Sequence, residues 1–175
     1  MRADGRWPMG WGVCATLLQC SPVFVALGLL AVLSVVIAVA GGGWGLATLT
    51  VDLAIGVAAC LVAPFALHET MHLVVLRWGC PGVCGVRTEM TLLRMSITPA
   101  GSLTTVQAIG VALAGPGSCV LVGGLLLAVR APEWAAVAWL AHLIFLIPPM
   151  GDGRSLVAAL KTRRQSRLPR ADSCG

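Results

Sequence analysis

The sequence predicts an all-α polytopic membrane protein with about four transmembrane helices and a small membrane-associated β-hairpin between helices two and three. Hydrophobic residues make up 58% of the 175 residues and charged residues only 11%, whereas charged residues approach about 25% in soluble domains. The mean hydropathy is +0.91. The apolar residues gather into runs close to the roughly 20 residues that a spanning helix needs, and these runs are 23–42, 51–76, 106–129 and 134–147.

The four runs leave no room for a soluble domain. We expect one intramembrane domain over residues 23–164, preceded by an interfacial segment (1–22) and followed by a basic tail (165–175). The first run carries no charge, and we interpret it as an uncleaved anchor that packs against the rest. Ala38-Val39-Ala40 resembles a signal-peptide cleavage site, but the run begins later than in an ordinary signal peptide.

The positive charges predict the orientation in the membrane. They precede the first run, follow the second and follow the last, whereas the other two loops carry almost none. The positive-inside rule therefore places both termini and the 77–104 loop in the cytoplasm. Eleven arginines against one lysine suggest a bacterial genome rich in G and C, and hence the bacterial plasma membrane. The net charge of +5 reflects this topology and not nucleic-acid binding, although the tail can also bind anionic lipid.

The second run contains His68-Glu69-Thr70-Met71-His72 near its cytoplasmic end. Ionisable side chains are costly inside a membrane and usually serve function there. HExxH on a helix is a zinc-protease pattern, since residues i and i+4 share a face and can bind one metal ion. The pattern predicts His68 and His72 as metal ligands and Glu69 as the general base. Pro64 predicts a kink that opens space beside them, or a proline that the helix simply tolerates.

The 77–104 loop predicts a β-hairpin with strands at 82–86 and 90–97 around a turn at 87–89. Met95 and Ile97 share one face of the second strand, and the pattern breaks at residues 98–102. The third run contains a stretch of small residues, 112–118, with Gly115-Pro116 at its centre. Small residues allow close helix packing, so this helix is the expected neighbour of the metal-bearing helix, kinked or loosened at its proline.

A zinc site in a hydrolase usually has three protein ligands. Asp152 is the one acidic residue that we expect at the cytoplasmic end of a span, at a depth similar to that of the two histidines. Two alternatives stay open: Asp152 as a helix N-cap, and His142 as the ligand in its place, although His142 fits a packing or supporting role better. Cys80 and Cys84, with three residues between them, suggest at most a second metal or redox site, and a disulfide framework is not expected on the reducing side.

Three motifs together resemble the site-2 protease family of intramembrane zinc metalloproteases, in a minimal bacterial form without a PDZ domain. His68-Glu69-Thr70-Met71-His72 resembles the family's HExxH, and Ala114-Gly115-Pro116 its Ala-Gly-Pro. The segment 147–153 resembles its Pro-x-x-x-Asp-Gly element, and 97–101 the turn after its hairpin. Ser118 and Cys119 stand where the family often has asparagine. The resemblance covers roughly residues 51–160 and implies zinc held by His68, His72 and Asp152.

The implied function is regulated intramembrane proteolysis of a membrane-spanning protein substrate, cut near the cytoplasmic face. We expect the hairpin to hold an extended substrate by strand addition. The expected substrate-binding residues are Met95, Ile97, Pro99, Gly101, Gly115, Pro116 and Ser118. The alternatives are a zinc-binding membrane factor without proteolytic activity, and a small transporter subunit that uses the buried His, Glu and Asp side chains as a proton or metal path.

Overall fold

The computed structural model describes residues 11–91 and 94–167, which are mostly helical. Residues 1–10, 92–93 and 168–175, which include parts of the expected interfacial segment and most of the basic tail, lie outside this description. The main elements in chain order are α1 (Trp11–Gln19), α2 (Ser21–Ile37), α3 (Gly45–Val57), α4 (Ala63–Gly79), β1 (Val83–Thr91), β2 (Arg94–Gly101), α5 (Thr105–Ala128), α6 (Glu133–Leu140) and α7 (Gly151–Arg167). Two π-helical turns, Ala38–Gly42 and Ala58–Val62, and one 3-10 turn, Ala141–Leu146, join or extend these helices.

Three helical stretches are long and apolar enough to cross a membrane: Ser21–Gly42, Gly45–Gly79 and Thr105–Ala128. They contain the first three predicted runs almost residue for residue. The fourth run falls in a helix pair, Glu133–Leu146 and Gly151–Arg163, bent by 44° at the break between them. Pro148 and Pro149 lie in that break, where proline ends a helix. The pair is a broken span or a re-entrant loop, so a fourth crossing stays a prediction.

The metal-bearing helix begins with a π-helical turn next to a proline. Pro64 is the second residue of α4 and lies inside the continuous helical stretch Gly45–Gly79, where its missing N–H leaves one carbonyl of the preceding turn without its helical hydrogen bond. The π-helical turn Ala58–Val62 directly precedes it, and such turns are found where the helical hydrogen-bond ladder is interrupted. Trp139 of α6 donates its indole N–H to the carbonyl of Ala59, 3.1 Å away, and so ties the two helices together at this point.

The expected pair of antiparallel strands is confirmed, but its turn was predicted in the wrong place. β1 and β2 pair from Val83 opposite Gly101 to Thr91 opposite Arg94. Residues 87–89, expected to form the turn, lie inside β1 and pair with residues 96–98. The segment 87–89 contains no glycine, proline or asparagine, which are the residues that most often form tight turns. The expected break at 98–102 is wrong as well, because β2 continues to Gly101. Pro99 is tolerated there because it lies on a strand that has a free edge.

Helix α5 is the centre of the packing and contacts α4, α6 and α7. It continues through Pro116, so the small-residue stretch does not end the helix. A capping box at Thr104 and Gln107 starts it, and the Gln107 amide also donates to the carbonyl of Gly79 at the end of α4, at 3.0 Å. The Cys119 thiol contacts the carbonyl of Pro64 at 3.3 Å. These contacts hold α5 closely against the helix that carries the histidines, as the small residues predicted.

Two N-terminal helices complete the molecule. Helix α1 packs against α4, whereas α2 packs mainly against α3. The sequence predicted only an interfacial segment where α1 lies. Large apolar side chains of α2 are exposed, among them Leu29 and Val32, at 68% and 64%. A helix with so much exposed apolar surface suits a lipid environment.

Candidate metal centre

The two histidines of the HExxH motif lie on one buried face of α4. His68 is 2% exposed and His72 is 6% exposed, and their Nε2 atoms are 3.1 Å apart. Helix α5 can approach them because residue 115 is glycine. A Cβ atom at Gly115 would lie 2.6 Å from His72 Nε2 and 2.8 Å from His68 Nε2, and those contacts are too short for any side chain to be tolerated without movement. The imidazoles therefore occupy the space that glycine leaves.

Asp152 brings its carboxylate to the same point from the first turn of α7. Its Oδ2 lies 3.0 Å from His68 Nε2 and its Oδ1 lies 3.4 Å from His72 Nε2. Gly153 allows the tight approach of the chain, since a Cβ there would overlap the carbonyl of Ile147. Among the described residues the carboxylate accepts no bond from a backbone N–H, so it does not act as a helix cap.

The group formed by His68, His72 and Asp152 can hold a metal ion. His68 Nε2 lies 3.1 Å from His72 Nε2 and 3.0 Å from Asp152 Oδ2, and the other oxygen of that carboxylate, Oδ1, lies 3.4 Å from His72 Nε2. Ligands at ~2.0–2.2 Å from a tetrahedral zinc ion are about 3.3 Å from one another. The two imidazole nitrogens and the carboxylate are thus close enough to share one zinc ion, and the fourth position belongs to no protein ligand of the group. Within residues 11–91 and 94–167, no other group of His, Cys, Asp and Glu side chains is arranged to hold a metal.

A backbone carbonyl fixes the orientation of His72. The Nδ1–H of His72 donates to the carbonyl of Val111 on α5, at 2.7 Å. A carbonyl can only accept, so the proton of the neutral ring is on Nδ1 and the lone pair of Nε2 is available to a metal. This contact joins the two helices through the site itself. A supporting hydrogen bond of this kind is usual for metal-binding histidines.

Glu69 lines the same cavity as the three possible ligands. The cavity has a volume of about 900 Å³ and is enclosed by α1, α4, β2, α5, the 3-10 turn and α7. The Glu69 carboxylate has no hydrogen-bond partner among the described residues. A carboxylate in that position can accept a proton from a water in the cavity.

The structure separates the predicted substrate-binding residues into two groups. Ile97 and Pro99 of β2 line the cavity. Gly115 and Pro116 are buried behind the imidazoles and do not line it, and Ser118 bonds the carbonyl of Gly115 at 2.7 Å.

Met95 and Gly101, two further residues expected to bind substrate, also lie in β2. Gly101 has a φ of +129° and lies against Gly82, at the end of the hairpin. Met95 pairs with Met90 in the sheet, and its side chain is outside the described part of the chain.

The alternative ligands lie outside the metal group. His142 is buried beside His68, with ring centroids 5.7 Å apart, but is not one of the three converging side chains. Cys80 is buried and Cys84 is exposed, and both are free thiols. Burial raises the pKa of the Cys80 thiol, which makes it a poorer nucleophile and metal ligand.

Helix α1 forms one wall of the cavity, and no sequence motif predicted this. Thr16, Gln19 and Cys20 line it from one side, and Phe145 of the 3-10 turn and Arg154 of α7 line it from others. The sequence signal that was available is weak: Leu17 and Leu18 lie in an apolar stretch, but at nine residues the helix is too short to show a clear periodicity.

Comparison of the chain with protein-family models, with curated proteins and with solved structures finds no match in any of the three. The resemblance to the site-2 protease family therefore stays a prediction from the motifs. The functional argument depends on the geometry of the site.

Proposed function

We propose that this protein is an intramembrane zinc endopeptidase, similar to the site-2 proteases, that hydrolyses peptide bonds of membrane-anchored proteins near the cytoplasmic face. One observation carries the proposal. His68 and Asp152, which are 84 residues apart, meet at 3.0 Å beside His72, and Glu69 lines the cavity that they share. Two imidazoles, one carboxylate and an adjacent glutamate are the side chains that zinc hydrolysis of amides requires.

Zinc fits these residues better than magnesium or calcium. Imidazole nitrogen suits zinc, whereas magnesium and calcium prefer shells of oxygen. When bound, zinc lowers the pKa of a water molecule and polarises the carbonyl of a peptide bond. His68, His72 and Asp152 would hold the ion, and the bond from His72 to Val111 keeps one imidazole in the tautomer that this requires.

Glu69 is the proposed general base. It accepts a proton from the attacking water and then gives it to the amine that leaves. Glu69 directly follows His68 on α4, and it lines the same cavity as the three possible ligands. The catalytic contribution of a general base is typically 100- to 10,000-fold in rate, and that range sets the scale of the experiment below.

The proposed substrate is a membrane-spanning protein segment that unwinds locally. A helix hides its peptide bonds in its own hydrogen bonds, so the segment must become extended before cleavage. The cavity is large enough for several residues and is lined by β2 at Ile97, Thr98 and Pro99. A free strand edge can hold such a segment by main-chain hydrogen bonds, and the surrounding lipid bilayer would deliver it.

Cleavage by the purified protein tests the proposal. The wild type, Glu69→Gln and the control Glu133→Gln are reconstituted with zinc and with a set of single-span bacterial membrane proteins. Glu133 is exposed and is the first residue of α6, so its variant tests loss of a carboxylate alone. We expect cleavage by the wild type and the control, a loss of at least ~100-fold in Glu69→Gln, and equal zinc content in all three. Cleavage that persists in Glu69→Gln would remove the glutamate from the mechanism.

A zinc-binding membrane factor without proteolytic activity is the second candidate. Ser118 stands where the resembling family often has an asparagine, and its hydroxyl is tied to Gly115 and does not line the cavity. If substrate binding requires the side-chain amide of that asparagine, which this chain lacks, the site would bind zinc without cleaving a peptide bond. In that case cells with the wild type and cells with Glu69→Ala would contain the same amount of each membrane protein, and both proteins would bind zinc.

A further inference from the structure

His142 lies directly beside the metal group, and the proposed catalysis does not use it. It belongs to the 3-10 turn Ala141–Leu146 and is only 5% exposed. Its ring centroid is 5.0 Å from that of Phe65, 5.5 Å from that of Phe145 and 5.7 Å from that of His68. In such an apolar enclosure a ring nitrogen without a hydrogen bond is costly, so each nitrogen of His142 needs a partner.

The contacts of His142 define which of its nitrogens can accept. Its Nδ1 lies 3.3 Å from the carbonyl of Ala138. The carbonyl is an acceptor, so Nδ1 carries the proton of the neutral ring and Nε2 is left as an acceptor. That Nε2 atom is buried and has no hydrogen-bond partner within the described ranges of the chain.

His68 has a buried ring nitrogen that can donate a hydrogen bond. Its Nε2 faces Asp152 and His72, and a nitrogen that binds a metal carries no proton. The neutral ring therefore carries its proton on Nδ1, which becomes a donor. Nδ1 of His68 is also buried and has no partner in the part of the chain that the structure describes. His72, in contrast, has the carbonyl of Val111.

We propose that His142 is a positioning residue for the metal centre, joined to His68 by one buried water molecule. The water accepts the Nδ1–H of His68 and donates to Nε2 of His142. Rings whose centroids are 5.7 Å apart keep their nitrogens beyond the ~3.2 Å limit of a direct bond, so a link between the two nitrogens needs a bridging molecule. Buried waters typically satisfy polar groups that the protein leaves unpaired.

The link gives each metal-binding histidine its own outer partner. Val111 orients His72 through a carbonyl, and His142 orients His68 through the water. Loss of an outer partner typically weakens metal binding 10- to 100-fold. The inference rests on the metal site of the proposed function but not on hydrolysis. A protein that binds metal and cleaves nothing would keep the positioning role and lose the proposed peptidase activity.

Cobalt binding by the full chain tests the inference, because the visible spectrum of Co²⁺ reports its ligand geometry. The metal-free protein in detergent is titrated with Co²⁺ in the wild type and in four variants. His142→Gln keeps an amide near the position of Nε2, whereas His142→Asn places its amide nearer Nδ1 and His142→Leu has none. Phe145→Leu is the control, since Phe145 also packs against the ring of His68, with centroids 5.0 Å apart, but offers no hydrogen bond.

We expect His142→Leu and His142→Asn to bind Co²⁺ about 10-fold or more weakly and to change the visible spectrum. His142→Gln is expected to recover most of the affinity and the wild-type spectrum, and Phe145→Leu to keep both. Thermal melting of the metal-free proteins identifies any variant that does not fold. His142→Gln and His142→Asn, which carry the same amide group at different distances from the backbone, are then compared with each other. Wild-type affinity and spectrum in His142→Asn, or an equal loss in His142→Gln, would overturn the inference, as would a wild type that binds no Co²⁺.

Discussion

At the scale of single residues, the close approach of the ligands depends on glycine at positions 115 and 153. The i, i+4 spacing of His68 and His72 could be read from the sequence, because helix geometry alone places both on one face. What Gly115 does could not be read, since its effect depends on how closely α5 approaches the imidazoles. The same holds for the bond from His72 to Val111, which joins side chain to backbone 39 residues away.

Substitution of Gly115 by alanine tests that close approach. The added Cβ would lie 2.6 Å from His72 Nε2, so the imidazole must move away from the other ligands. We expect Gly115→Ala to weaken zinc binding by at least the ~10- to 100-fold that loss of an outer partner causes, measured by competition with a chelator. Gly117→Ala is the matched control on the same helix, because nothing lies within 4 Å of its added Cβ. Equal zinc affinity in the two variants would contradict this description of the α4–α5 contact.

At the scale of elements, apolar run length predicted the helices well and local chemistry predicted their connections poorly. Three spans agree with the sequence because hydropathy is a strong signal over about 20 residues. The hairpin turn was predicted too early, in a segment that lacks the glycine, proline and asparagine typical of tight turns. Helix α1 was missed altogether, since its place is determined by packing on α4 and not by any motif of its own.

At the scale of the whole molecule, the candidate metal site depends on bringing together helices that are far apart in the chain. Asp152 was predicted as the partner of the two histidines because it was expected at a similar depth in the membrane. In the structure its carboxylate lies beside both imidazoles. The prediction succeeded because a membrane restricts each residue to a level along one axis, which leaves few carboxylates within reach. The same reasoning could not predict the wall formed by α1, because depth says nothing about which helices are neighbours at that level.

The number of crossings follows from where the C-terminus lies. If the bent pair Glu133–Leu146 and Gly151–Arg163 crosses the bilayer once, the C-terminus and the turn at 130–132 lie on opposite sides. The basic residues after α6 favour this arrangement through the positive-inside rule. Reporter fusions that are active on one side only, placed at residue 131 and at residue 175, are therefore expected to give opposite results. Identical results at both positions would mean that the pair enters and leaves on the same side.

The most direct test of the metal centre is the zinc content and X-ray absorption of the purified protein, with Asp152→Ala for comparison. We expect one zinc per chain in the wild type, with nitrogen and oxygen ligands at ~2.0–2.2 Å that include two imidazoles. Asp152→Ala should lose most of its zinc affinity, whereas Asp52→Ala, which removes an exposed carboxylate of α3, should keep it. A wild type without zinc, or an Asp152→Ala variant with the same affinity and the same spectrum, would contradict the assignment of these three residues.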